Sequence, residues 1–443
     1  TAAEVVAAYY RPMTGQKEPF EAVSHLGSGG LSATAMDLVR FADSFSDAGR
    51  HILSEPALRE MRKNQPSSSP AKLRNPNLAY GLGWDMTYIP KYREQGIQVL
   101  GKSGGTGNYN SMVYTVPDEG VSVAVIETGP AGRSVEIALE ILDAVLVEKG
   151  LVKEKMLLVS VPPKPEVIPD EYAAYCGYYI LSGGRLASVN LDRTAGRFRV
   201  SSVVGGVEVP ALCLYYSKGA FYRDDSGGMQ LYFTMVDGEQ YAVEPFVGFD
   251  MAFMRRLPAI EVPFSMEMDM NGKRWLRRNV KPFEGAFLID SHLVQSCTIE
   301  ALPGYVDFCG IKKIESPTYA GMPAGATRDL GDLTLLHNDG ETWAQVLDML
   351  YSPADSTATL SIGANVVTIG DSGYSEWLRA AHDSVLTFQI PAGGRTFVFA
   401  TDGSPKYDSS VDEGDVFVNE GDFVEICGAP TDQFTIECEA AYR

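Results

Sequence analysis

Hydrophobic and polar positions change rhythm twice along the chain. Up to about residue 158 the pattern mixes a period near 3.6 with a period of 2. Thr34-Ala-Met-Asp37 reads as a capping box, with Asp in the role more often held by Glu. It opens a helix whose apolar face begins at Leu38, Phe41 and Ala42. Residues 55–63 predict a second helix, and residues 134–149 a third, with Val135, Ala138, Leu139, Leu142 and Leu146 on one side. Between them, residues 80–86, 98–101, 111–116 and 121–127 predict strands. Strands bracketed by helices predict an α/β layer arrangement.

Ser160-Val-Pro-Pro-Lys-Pro-Glu-Val-Ile-Pro169 then interrupts the pattern, and its prolines favour an extended spacer over residues 159–170. Beyond it, residues 188–191, 197–201, 230–236 and 241–245 alternate in short runs between Gly, Asp and Ser turns. Such spacing over residues 171–258 predicts a small antiparallel barrel or sandwich. From residue 259 onward strands continue, for example 332–336, 385–390, 396–400 and 434–437, and predict a β-sandwich-like domain ending at 443. The expected class is therefore multidomain α+β, in keeping with a length of 443 residues.

Charge separates these regions further. The chain carries 37 basic and 57 acidic residues, a net charge of -20, which sets aside a phosphate-tracking nucleic-acid protein. Residues 259–443 hold 12 basic and 28 acidic side chains, whereas residues 1–158 hold 16 and 18, so the acidity belongs to the C-terminal region. No apolar run of about 18 residues occurs, so no membrane span is expected. The five histidines form no i, i+2 or i, i+4 pair, and neither a metal nor an organic cofactor is expected.

Candidate chemistry gathers in two segments. One is Gly27-Ser-Gly-Gly-Leu-Ser-Ala-Thr-Ala-Met-Asp-Leu-Val-Arg-Phe41. The other is Gly101-Lys-Ser-Gly-Gly-Thr-Gly-Asn-Tyr-Asn-Ser111, preceded by Tyr80-Gly-Leu-Gly-Trp84. On a strand edging a cleft, the Lys102 ammonium would lower the pKa of a neighbouring base and attract a substrate carboxylate. The Ser103 hydroxyl can donate to the same carboxylate. Gly104 and Gly105 leave the backbone bare, so an extended substrate can approach it.

The order and spacing of these segments resemble the serine β-lactamase-like hydrolases: class C β-lactamases, D,D-carboxypeptidases, D-aminopeptidases and related esterases. The match covers roughly residues 1–150 and implies the C-terminal part of a β-lactamase/transpeptidase-like catalytic domain (residues 1–158). The resemblance makes Lys102 and Ser103 the binding and polarising pair and gives Gly105 N–H a place in the oxyanion hole. Gly104 and Tyr109 become substrate-binding positions, with Tyr109 a cleft-wall or packed aromatic rather than the base. It implies an amide or ester substrate, such as a small peptide, cleaved through an acyl-enzyme. Lys102, where many esterase-like relatives carry His, favours a carboxylate-bearing substrate. A periplasmic or extracellular location follows from the resemblance alone.

The family's nucleophilic Ser-x-x-Lys and its Tyr-x-Asn or Tyr-x-Ser loop belong upstream of Gly27. They are expected on an upstream fragment of the same protein, cut but still bound, or lost. Ser69-Pro-Ala-Lys72 matches the first pattern, yet Pro76 closes any helix there, and it reads as a solvent loop. Thr1 as an N-terminal nucleophile is disfavoured because residues 1–10 do not alternate as a buried strand. The alternative from another class is a non-catalytic binding or scaffold protein on a decayed hydrolase fold.

In the C-terminal half, Tyr175-Cys-Gly-Tyr-Tyr179 and the run ending at Leu257 resemble the lipocalin-like domain attached to many of these hydrolases. Cys297 with Cys309, and Cys427 with Cys438, sit symmetrically about turns; opposed strand positions would bring them near disulfide range, though reduced thiols are the simpler expectation. Cys176 and Cys213 suggest no pairing. Asp402, Asp408, Asp412, Glu413 and Asp415 could converge on calcium but more simply form a solvated acidic rim. Trp275, Trp343 and Trp377 could face a sugar, with burial the default.

Overall fold

A computed structural model describes residues 31–46, 49–65, 81–106, 109–128, 132–153, 162–224, 230–236, 238–246, 249–284, 292–323, 331–338, 340–371 and 373–441. They fall into two compact units, one within residues 31–258 and the other taking in residues 259–323 and 331–441.

The first unit begins with helix α1 (Ala35–Asp43). Its capping box is complete: Asp37 N–H donates to Thr34 Oγ1 at 3.2 Å, and Thr34 N–H donates back to the Asp37 carboxylate at 3.2 Å. Helix α2 (Glu55–Met61) is shorter than its periodicity predicts, and α3 (Pro90–Arg93) is a single turn that the pattern does not reveal. Strands β1 (Leu100–Gly105), β2 (Tyr109–Val116) and β3 (Val121–Thr128) form an antiparallel sheet in that order. Residues 81–86, expected as a strand, join it only through a bridge from Met86 to Gly101. The reason is local: Gly83 takes a φ of 79°, and Gly81 N–H turns back to Trp84 O.

Alternation along β2 serves both faces of this sheet. Met112, Tyr114 and Val116 share a core with Ala138, Leu139, Leu142 and Leu146 of α4 (Ser134–Glu148). Val113, with Leu100, faces Ala42, Phe45, Leu58 and Trp84 on the other side. Each such leucine, fully buried, contributes on the order of 2 kcal/mol. One polar pair is sealed into the α4 side, where Tyr92 Oη donates to Asp143 Oδ1 at 2.8 Å. Burial, helped by that carboxylate, pushes the tyrosine far above its ordinary pKa.

An eight-stranded closed barrel follows: β4 (Gly177–Leu181), β5 (Leu186–Asp192), β6 (Arg197–Val204), β7 (Val207–Ser217), β8 (Ala220–Arg223), β9 (Gln230–Val236), β10 (Glu239–Phe246) and β11 (Phe249–Arg256). Each strand pairs antiparallel with the next, and β11 closes on β4 through Met254 opposite Leu181. Closure leaves no sheet edge. Phe198, Phe221 and Phe233 pack edge-on or tilted at 4.8–5.4 Å among Val189, Val200, Leu214 and Met254, so side chains fill the interior. The end of the proline-rich segment joins this core. Glu166 N–H donates to Tyr216 O, and Ile168 is buried with the barrel residues.

The second unit holds two β systems where one sandwich-like domain is expected. Nine strands between Arg274 and Pro353 form a sheet that curls almost shut. Strand Leu293–Gln295 ends it at one side, pairing with Arg274–Arg277, while Cys297–Thr298 ends it at the other, pairing with Tyr305–Asp307. Only Ser296 separates the two ends. Residues 358–440 then build a five-stranded and a four-stranded sheet around one core that includes Leu378, Val398, Ile426, Leu386 and Ile436. Alternation of period 2 is the same in a barrel and in paired sheets, which is why the sequence pattern does not separate them.

Register decides between the alternatives left open for several residues of this unit. Cys297 lies opposite Asp307, not Cys309, and Cys427 and Cys438 belong to different sheets; none of the six cysteines is in a disulfide, in keeping with the simpler expectation of reduced thiols. The acidic residues around 402–415 are engaged separately: Asp402 with Ser404, Asp415 with Thr387, and Asp408 in a buried bidentate pair with Arg395 at 2.8 and 2.5 Å. Trp275 and Trp377 are buried, donating to Ser296 Oγ and Arg277 O.

Candidate active site

The site is built on β1. Thr106 N–H donates to Tyr109 O at 2.8 Å, which fixes the phase of the ladder. Amides of Lys102 and Gly104 therefore face β2, while those of Gly101, Ser103 and Gly105 face the opposite edge. Gly101 N–H donates to Met86 O at 2.9 Å, and Asp85 N–H donates to Gly101 O at 2.9 Å. These bonds hold Asp85 against the edge.

A β-carbon at Gly101 would stand 2.8 Å from Met86 Cγ and 2.9 Å from Tyr114 Cε1, so glycine is needed for this approach. Among the described residues, one at Gly105 would have only the Asn110 side chain near it, at 3.7 Å, whereas one at Gly104 would meet Ser111 Oγ at 2.5 Å; both glycines are exposed. Among the described residues, the backbone at Gly104 and Gly105 is uncovered. Gly105 N–H points along the same edge as Ser103 N–H, two residues further from Asp85.

Lys102 and Ser103 converge on one carboxylate. Lys102 Nζ lies 3.0 Å from Asp85 Oδ1 and 3.1 Å from Oδ2. Ser103 N–H and Ser103 Oγ–H donate to Oδ2 at 2.7 and 2.5 Å. Lys102 also donates to Ser103 O at 2.5 Å. The lysine side chain is 40% exposed and that of Asp85 25%, so the pair sits at a half-buried edge rather than out in bulk water. Tyr109 opens β2, half-buried, with its N–H donating to Thr106 Oγ1 at 3.1 Å.

Asp85 is the functional candidate that the sequence alone does not reveal. Its position directly after Trp84 is visible, but its partners depend on the Met86–Gly101 bridge, a long-range register. The indole of Trp84 anchors the segment, packed at 5.0 Å from Phe45 and buried. Thr1, Gly27 to Gly30, Ser69, Lys72 and Tyr80 lie outside the described residues.

Residues 2–146 match the family model described as Beta-lactamase. This part of the chain is serine β-lactamase-like. Its superfamily is that of the serine hydrolases, and β1 with the Lys102-Ser103-Gly104 run is where the motif resemblance falls. Among solved structures, a crystal structure of SurE is 21% identical over 57% of this chain and 55% of that one, with a TM-score of 0.37. SurE with D-Leu gives 21%, 57%, 58% and 0.36. The octameric penicillin-binding protein homologue from Pyrococcus abyssi is 18% identical over 51% of this chain and 47% of that one, with a TM-score of 0.23. The chain thus spans about half the length of the solved structures it matches. Scores this low assign no fold. No curated protein matches the chain.

Proposed function

We propose that the β-lactamase-like part works in a penicillin-recognising-type serine hydrolase that cleaves amide or ester bonds through an acyl-enzyme. The observation that carries this reading is the edge of β1, where Gly105 N–H points outward from uncovered backbone beside Ser103 and Lys102. A carbonyl oxygen docked there would receive a fixed donor as negative charge develops on it, a contribution typically worth about 3 kcal/mol of barrier. Lys102 and Ser103, held on Asp85, flank the place of the acyl group, and Tyr109 and Gly104 line its path. The nucleophilic serine of Ser-x-x-Lys would come from polypeptide outside these 443 residues, with its lysine and a tyrosine sharing the proton transfers.

The closed barrel fits the lipocalin-like accessory module of the resemblance. Its interior is occupied by aromatic side chains, which favours a packing role over ligand carriage. A periplasmic or extracellular location goes with this reading. Among the described residues, no helix is long and apolar enough to cross a membrane.

The Lys102–Asp85 pair gives specific support to a second reading, a binding or scaffold protein, because it compensates the charge that a hydrolase would present. Labelling with fluorescent penicillin and a fluorophosphonate, followed by intact-mass analysis, separates the two. The hydrolase reading expects a labelled serine on an associated polypeptide with this chain unmarked. Labelling at Ser69 or Thr1 contradicts the assignment of the nucleophile, and no labelling at all supports the scaffold.

A further inference from the structure

We infer that Asp85 sets the specificity of the β1 edge: its carboxylate fills the donor set that a substrate carboxylate would take, so the site selects acyl compounds whose carboxylate is blocked as an amide. The inference rests on the hydrolase reading only for the place where substrate lies.

The donors are of the kind that recognises a carboxylate: an ammonium, a backbone N–H and a hydroxyl, all within 3.1 Å of one group. That group is intramolecular and preset. Asp85 is fixed through its backbone by Gly101 on one side and by the buried Trp84 on the other. Its side chain is three-quarters covered, unlike a mobile surface partner. An arriving carboxylate would find the Lys102 charge compensated and both Ser103 donors committed to Oδ2. To bind there it must displace Asp85 and leave a second negative charge beside it. An amide meets no such repulsion, and Gly105 N–H, two residues along, is not among the donors Asp85 takes. The sequence-based expectation that Lys102 draws carboxylate substrates is thereby reversed.

The test compares N-acetyl-D-alanine with N-acetyl-D-alaninamide by calorimetry or ligand-observed NMR at low salt, using the full chain. The native protein should bind the amide at least as tightly as the acid. Asp85→Asn should tighten acid binding by about tenfold and leave amide binding within about twofold. Adding Lys102→Met to Asp85→Asn should abolish that gain. If Asp85→Asn does not fold, Asp85→Ser and the native acid-to-amide ratio still decide the matter. A native preference for the acid, an unchanged ratio in the variants, or binding of neither probe by any of these proteins would overturn the inference. Hydrolysis is scored separately. A native protein that hydrolyses amides yet prefers the acid keeps the function and loses the inference, and one that hydrolyses nothing yet shows the shift does the reverse.

Discussion

Lys312 offers the most quantitative prediction, because it is a cation with no exposed surface. It lies on strand Ile311–Ser316, on the same face as Ile314 and opposite Val306, both core residues of the near-closed barrel. Its ammonium donates to Cys309 O and Gly310 O, both at 3.3 Å. Burial pulls its pKa from the ordinary 10.5 down to about 8, against opposing pulls from Cys309, Asp307 and Asp332. The unfolded chain therefore holds this proton between pH 8 and 10.5 while the folded chain does not. Stability contributed by this group rises with pH through that window, by about 3 kcal/mol in all, and below pH 8 the same amount is a standing cost. Lys312→Met removes the cost but leaves two carbonyls without a donor, each worth about 1 kcal/mol. The net expectation at pH 7 is a gain of about 1–2 kcal/mol, shrinking to nothing or reversing by pH 10.5. Urea unfolding at several pH values reads it, using the emission of Trp275 in the same core. A variant less stable than the native chain at pH 7, with an unchanged pH slope, would refute the reasoning.

Other expectations are simpler. Gly101→Ala forces a methyl against Met86, Met112 and Tyr114 and should cost about 1–3 kcal/mol, seen as faster amide exchange in β1 and β2. Arg395→Met leaves the buried Asp408 carboxylate without its counter-ion, held only by donors such as Ser410 N–H and Oγ–H, and should cost about 3–5 kcal/mol, read by thermal melting; a loss below about 1 kcal/mol would mean that water reaches the pair. The Cys427 thiol, fully buried beside Glu425, has its pKa pushed well up and should resist an aromatic disulfide reagent until the unit unfolds, whereas the half-buried Cys176 and Cys213 should react first. Thr34→Ala should cost about 1 kcal/mol of local stability, read as faster exchange in the first turn of α1.

What the sequence makes legible is what local chemistry decides. The Thr34–Asp37 box, the α4 stripe and the alternation in β2 and β3 each need only neighbours a few residues away, and each appears as expected. The bare Gly104-Gly105 backbone is likewise a local property. Register is not local. The pairing of Cys297 with Asp307, the separation of Cys427 from Cys438 and the seating of Asp85 against Gly101 depend on contacts between distant segments. The curl that brings the two edges of one sheet together, at Leu293–Gln295 and Cys297–Thr298, is hidden for the same reason. The site therefore emerges from the sequence as a set of donors, and the structure adds the acceptor they share.

The role of the Gly105 amide is tested most directly by deleting that donor. Gly105→Pro removes the N–H, which faces the open edge and not β2, so no ladder bond is lost. With any associated polypeptide present, acylation by fluorescent penicillin should slow by about 10²–10³-fold while the melting temperature stays within about 2 °C. Unchanged acylation in a folded Gly105→Pro protein would contradict the account.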